Sequence, residues 1–249
     1  MSFLTLSFSL VFVLIPLLLS KVLKLDLEKD VVIATIRSII QLLIVGYILT
    51  FVFESEQITY TILMVALMIG AATQNARKKG ASIQGITWKL ILTFIFVELL
   101  TQGILLGFNI IPAEPQYIIP ISGMVVGNSM VLSILFLNRF IAEVEARHDE
   151  TELILTLGGT PKQAIHNSLI TSLKASMIPT IESQKTIGLV QLPGMMSGQI
   201  IAGADPVQAV QFQLLILFLL LSTAAMTSIL LGFLSYPTLF NKRMQMIQL

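Results

Sequence analysis

The chain has 249 residues, 55% of them hydrophobic and only 12% charged, with a mean hydropathy of +0.88. An ordinary soluble domain carries about 25% charged residues, so a water-soluble enzyme and a disordered chain are excluded, and a formal charge of +1 gives no field that gathers nucleic acid. Zero cysteines remove disulfides, thiolate metal sites and iron–sulfur clusters, leaving an all-α polytopic membrane protein with one transmembrane domain over residues 1–249.

A helix crossing roughly 30 Å of hydrocarbon needs about 20 mainly apolar residues. Seven stretches approach that length. The first, residues 3–19, is uncharged and ends at Lys21; with no basic region before it and no small-residue cleavage site after it, it reads as a retained anchor. The second, 31–53, contains Arg37, which sits near enough to the start to snorkel to the interface. The third, 58–72, is closed by Arg77, Lys78 and Lys79. The fourth, 90–110, carries Glu98, too deep to snorkel. Intramembrane acids face a cavity or a partner, so Glu98 is read as protonated, paired with Arg37, or lining a transport path. The fifth, 118–138, is uncharged and places Asn128 and Ser129 beside Gly123 and Gly127, a composition suited to a packed interior.

The polar block 139–185 follows, with 11 of the 29 charged residues. No Gly or Pro interrupts 139–157, so a helix runs out of the membrane there. Gly158 and Gly159 supply the left-handed backbone that ends helices. Thr160 is a good N-cap, Pro161 suits the first helical position, and Gln163 completes a capping box. A second helix is predicted from Pro161 to about Ile178, stopped or bent at Pro179. The product is a helix–elbow–helix, which is equally what a well-capped connecting loop would look like.

The sixth stretch, 186–204, is the least apolar and is predicted to span or to re-enter. Gln191, Met195 and Gln199 share one helical face there, with Met196 beside them, if Pro193 and Gly194 do not break the helix. Thioethers and amides suit a path for a soft or borderline cation, although methionine is also ordinary packing material. The seventh stretch, 210–234, is the most apolar. Gly103/Gly107, Gly123/Gly127 and Gly194/Gly198 have the spacing that lets helix backbones approach, within or between subunits.

Threading seven crossings puts the Lys and Arg residues of the loops on one side, including Lys21, Lys24, Arg77, Arg139, Arg147, Lys162, Lys242 and Arg243, and leaves Glu54, Glu56, Glu114 and Asp205 on the other. The positive-inside rule then sets the amino terminus outside and the carboxyl terminus in the cytoplasm, in a plasma (inner) membrane. The elbow therefore faces the cytoplasm.

Glu152, followed by Gly158, Gly159, Thr160, Pro161, Lys162, Gln163 and Ala164, resembles the cytoplasmic EAA-type loop of ABC importer permeases, although Leu153 and Ile154 stand in place of its two alanines. Residues 186–209, 123–130 and 137–139 are similar to the signatures of the FetB-type iron-export permease family, which has relatives in plant aluminium tolerance. The resemblance covers nearly the whole chain. It implies a permease for a metal ion or another small molecule, working as two copies side by side with a separate ABC ATPase subunit. Glu152, Gly158, Gly159, Thr160, Pro161 and Gln163 are then the coupling residues. ATP and Mg belong to the partner, because no Gly-x4-Gly-Lys-Ser/Thr occurs in the chain; this chain is expected to bind no cofactor, no resident metal and no nucleic acid. Two other readings are a permease for a non-metal substrate such as a nucleotide sugar and a membrane scaffold without transport. An intramembrane enzyme is disfavoured, since the spans offer Glu98 but no His, Cys or Asp.

Overall fold

A computed structural model describes residues 10–55, 57–241 and 244–247. Residues 3–9 of the first predicted span, together with Glu56, Lys242 and Arg243, lie outside the described residues. The chain is all-α: among the described residues the only β pairings are two isolated bridges, Ile187 with Gln191 and Phe240 with Met246. It divides into two compact units, residues 1–57 and 58–249.

The first unit holds α1 (Val11–Leu23) and α2 (Glu28–Ser55). Their turn is built on Ser20, whose hydroxyl donates to Glu28 Oε1 at 2.7 Å and accepts the Leu27 amide at 3.1 Å. Lys24 ends α1 in the left-handed conformation. Arg37 lies on α2 and is exposed.

The second unit contains α3 (Ile58–Ala76), α4 (Ile86–Gly107), α5 (Pro115–Ala146), α6 (His148–Thr156), α7 (Pro161–Ala164), α8 (His166–Thr186), α9 (Gly194–Ile201) and α10 (Pro206–Ser235). A 3₁₀ turn at Tyr236–Leu239 extends α10. Among the described residues five segments are long and apolar enough to cross a membrane: α2, α3, α4, α5, and α10 with its turn. The caps follow the sequence. Pro115 and Pro206 each open a helix, and Asp205 accepts the amides of Val207 and Gln208 at 2.9 and 3.1 Å.

The core sits where α5, α8 and α10 meet. Phe136 and Phe140 stack at 5.2 Å between ring centres, beside Leu169 of α8 and Leu231 of α10. Gly232 is where α10 comes closest, since a Cβ there would meet Leu169 Cδ1 at 2.8 Å and Phe136 Cζ at 3.2 Å. The glycine pairs singled out by spacing make no such approach within the chain. Among the six, only Gly123 has a neighbour within 4 Å of a built Cβ, the Met68 side chain.

The structure differs from the sequence reading at the sixth crossing. Residues 186–204 form no continuous helix: α8 ends at Thr186, 187–193 is irregular, and α9 has eight residues. The helix that lies along α5 and α10 is α8, which is not stopped at Pro179 but continues to Thr186. Its Ser168 hydroxyl donates to the Glu143 carbonyl of α5 at 3.3 Å, Ser176 to Ser228 of α10 at 3.0 Å, and its Gln184 amide to the Leu217 carbonyl of α10 at 2.7 Å. These partners descend along α10 as the numbers rise along α8, so the two are antiparallel. At about 1.5 Å per residue its 21 residues reach about 31 Å.

A hydropathy reading passes over α8 because Lys174, Glu182 and Lys185 are exposed on it while its serines are polar but hidden. Ser168, Ser172 and Ser176 recur every fourth residue, are buried, and turn their hydroxyls onto backbone carbonyls and, for Ser176, also onto Ser228. A helix packed on two sides needs little apolar circumference. Pro179 is tolerated because packed neighbours support a helix whose own ladder lacks one bond.

The predicted helix over 139–157 is also split. α5 continues to Ala146 and α6 starts at His148, with Arg147 leaving helical geometry at φ −110° and ψ 24°.

Candidate functional site

Three polar features stand out: the elbow, a cavity at the end of α8, and a buried carboxyl on α4.

The elbow is a chain of caps. Beyond α6, the Gly159 amide donates to the Ile154 carbonyl at 2.9 Å and the Gly158 amide to the Leu155 carbonyl at 3.1 Å, the pair of bonds that defines a Schellman motif. Gly158 has φ +86°, where a side chain is strained. Gly159 needs its bare α-carbon for a different reason: a Cβ would stand 2.5 Å from Ile154 Cγ2 and 2.8 Å from the Ile154 carbonyl oxygen. Thr160 then begins α7. Its Oγ1 accepts the Gln163 amide at 3.4 Å while Gln163 Oε1 accepts the Thr160 amide at 2.8 Å, completing the predicted capping box with Pro161 in the first position.

Ion pairs brace this elbow against the base of α5. Glu143 takes Arg139 at 2.5 Å and Arg147 at 3.1 Å, Arg147 also reaches Glu150 at 3.2 Å, and Asn167 of α8 donates to Glu150 at 3.0 Å. Glu143, the first cause, and Glu150 together raise the Arg147 pKa above its ordinary value, so the guanidinium stays charged. An exposed pair such as Arg147–Glu150 is worth about 0–1 kcal/mol, but Glu143 is itself buried, and with the Asn167 bond the network ties α6 and α8 to α5. Glu152 is exposed on α6, 3.8 Å from His148 Nε2, and borders a groove with Gly158, Gly159, Met244 and Met246. Leu153 and Leu157 are also exposed on this elbow.

The cavity, of about 340 Å³, is bordered by Asn128 of α5, Thr180, Ser183 and Gln184 of α8, Gln191 of the irregular segment, and Gln213 of α10. It lies well inside the bundle: Leu217, bonded to Gln184, is 11 residues into α10, about 16 Å along its axis. The irregular backbone beside it is self-sufficient. The amides of Leu189, Val190 and Gln191 all turn back to the Thr186 carbonyl, and Gly188 bonds the Gln191 carbonyl. Irregular backbone at membrane depth is stable where its polar groups are met and it lines a cavity.

Glu98 is buried on α4, beside Ser122 of α5 and Gln102, which bond each other at 2.9 Å. Neither carboxyl oxygen meets a donor at good hydrogen-bonding geometry, and Glu98 forms no ion pair among the described residues.

Of the residues expected on a transport path, only Gln191 borders the cavity. The shared face of Gln191, Met195 and Gln199 does not exist, because Pro193 is the N-cap of α9 and Gln191 precedes it. Met195 packs with Ile121, Val125 and Ile216, and Met196 is buried. Asn128 and Ser129 do face the interior: Asn128 bonds α10, and Thr227 donates to Ser129 at 3.0 Å. Gln184 and Gln213 were missed. The readable signal for Gln213 was an amide set within the most apolar stretch of the chain.

The chain is 54% identical to the UPF0014 membrane protein YjkA of Bacillus subtilis, over 100% of this chain and 99% of that one. It is 39% identical to the probable iron export permease protein FetB of Escherichia coli, over 98% and 94% of the two chains. It is 32% identical to the protein ALUMINUM SENSITIVE 3 of Arabidopsis thaliana, over 96% and 87%. No solved structure matches. A membrane-embedded helical bundle, relatives aligned from end to end, and a family match over residues 3–240 establish that the chain belongs to the uncharacterised protein family UPF0014.

Proposed function

We propose that this multi-pass membrane protein is the permease subunit of an ABC transporter that exports a metal ion, iron being the cargo named for the FetB relative, with ATP and Mg bound by a separate ATPase subunit. The observation that carries the reading is the elbow. A Schellman stop, a capping box that follows at once, and ion pairs to α5 make a stiff part on the basic side of the chain, and stiffness is what transmits a push. Glu152, Gly158, Gly159, Thr160, Pro161 and Gln163 are its coupling residues. The exposed Leu153 and Leu157 give a partner apolar surface to seat on.

Two copies act together, with the amino terminus outside, the carboxyl terminus in the cytoplasm, and the inner membrane as their location. The glycine pairs that make no close approach within one chain remain free to meet the second copy. Glu98 and Gln191 line or border the path, and Met195, Met196 and Gln199 shape the short helix that follows it.

The test is reconstitution of the chain with its ABC ATPase in vesicles, measuring ATP-dependent iron movement and stimulation of ATP hydrolysis. Replacing Gly158 and Pro161 with bulky residues abolishes both while membrane insertion persists. Full stimulation in that variant rejects the coupling assignment, and no ATP-dependent movement in the native pair rejects export.

A further inference from the structure

The amides around the cavity are fixed in one sense. The Asn128 nitrogen donates to the Leu220 carbonyl at 3.2 Å and to the Thr223 hydroxyl at 3.1 Å, and the Gln184 nitrogen donates to the Leu217 carbonyl at 2.7 Å. A backbone carbonyl only accepts, so in both side chains the nitrogen faces α10 and the oxygen turns away from that bond. Gln213 Oε1 adds a third oxygen. This side chain is 7% exposed, borders the same cavity, and its oxygen has no hydrogen-bond partner. A buried acceptor left unmet is costly unless a ligand or water meets it.

The cavity is thus bordered by the amides of Asn128, Gln184, Gln191 and Gln213 and the hydroxyls of Thr180 and Ser183, with the unmet Gln213 oxygen among them, and its border contains no carboxylate, imidazole or thiolate. Glu182 and Lys185, the charged residues of the same stretch of α8, neutralise each other at 2.7 Å. Among the described residues no three His, Cys, Asp or Glu side chains come together elsewhere. Neutral oxygens suit a hard cation. They supply no charge with which to strip a divalent ion of its water. The space allows the shell to stay, since six waters at about 30 Å³ each need about 180 Å³, within a cavity of about 340 Å³. The backbone also fits: transporters set substrate sites where a helix gives way to unwound backbone, and here α8 stops at Thr186 beside the cavity.

We propose that the cavity bordered by Asn128, Gln184 and Gln213 binds a divalent cation with its water shell retained, the amide oxygens accepting hydrogen bonds from the coordinated waters. As the cargo site it rests on the permease reading; as a cation site it stands on these oxygens alone.

The experiment uses the full chain in nanodiscs without any ATPase, with Mn²⁺ as the probe and free Mn²⁺ read by electron paramagnetic resonance. Hexaamminecobalt(III), which cannot exchange its shell, competes with Mn²⁺ because only the outer shell is recognised. Gln213→Leu weakens Mn²⁺ binding about tenfold by deleting an acceptor, and Gln213→Glu strengthens it about tenfold by adding charge. The second variant keeps the size and shape of the native side chain and reads in the opposite direction, so a folding defect in the first does not decide the matter. The proposal is overturned if the native chain binds no Mn²⁺, if both variants bind as the native chain does, or if hexaamminecobalt(III) fails to compete. A chain that behaves as expected here but never stimulates an ATPase rejects the transporter reading and leaves the cation site standing.

Discussion

The amide of Gly159 donates to the carbonyl of Ile154 at 2.9 Å, and no Cβ fits in the approach that this bond requires. One bond thus sets how sharply the chain turns from α6 into α7. Gly159→Ala places a methyl carbon 2.5 Å from Ile154 Cγ2, a clash that costs about 1–3 kcal/mol if the turn is to persist. The expected outcome is loss of ATPase stimulation by the partnered chain with little change in the melting of the membrane bundle. Stimulation at the native level would show that the turn is not under tension during coupling.

Thr160→Ala removes the acceptor for the Gln163 amide. Losing an N-cap costs about 0.5–2 kcal/mol locally, so hydrogen exchange at residues 163–165 accelerates, and Thr160→Ser restores protection. Exchange that is unchanged in the alanine variant would mean the cap contributes nothing to the elbow.

Gly232→Ala tests the packing of α8 against α10. The added carbon meets Leu169 Cδ1 at 2.8 Å, and overpacking of this kind costs about 1–3 kcal/mol. Thermal unfolding in detergent should drop accordingly, and Leu169→Ala in the same chain should recover part of the loss. Strictly additive effects in that double variant would place the clash elsewhere.

Much of this was legible in the residues. Thr160 and Gln163 announced the capping box, and Gly158 the left-handed turn, because caps are local chemistry written in adjacent positions. That α8 runs on past Pro179 to Thr186 and packs along α5 and α10 was not legible. Ser168, Ser172 and Ser176 read as polar, whereas their hydroxyls are spent on carbonyls and on Ser228, and which neighbour hides a hydroxyl is long-range information. The shared face of Gln191 and Met195 was misread for the opposite reason: the spacing was right for a helix that Pro193 does not allow. The cavity needed three segments far apart in the chain, so Gln213 carried only a hint.

Glu98→Gln should leave unfolding temperature unchanged or raised. The carboxyl has no ionic partner among the described residues, and a charge at mid-membrane costs about 2.5–3.5 kcal/mol, so a neutral amide of the same shape loses nothing structurally. Reconstituted transport falls if Glu98 is on the path. Native transport rates in this variant would reduce the residue to packing.

The native chain contains no cysteine, so single cysteines report topology without background. Leu157→Cys should react with an impermeant maleimide from the cytoplasmic face and Leu189→Cys from the outer face. Both side chains are highly exposed. Labelling of both from one face would mean that α8 does not traverse the bilayer.

The serine-lined α8 has a bearing on biogenesis. A helix this polar does not partition into lipid by itself, and its two flanking surfaces are supplied by α5, already synthesised, and by α10, still within the ribosome when α8 emerges. On the permease reading α8 settles into place only after the last helix is made, and a nascent chain cut short after residue 205 is expected to leave it without its α10 surface and open to quality-control proteases.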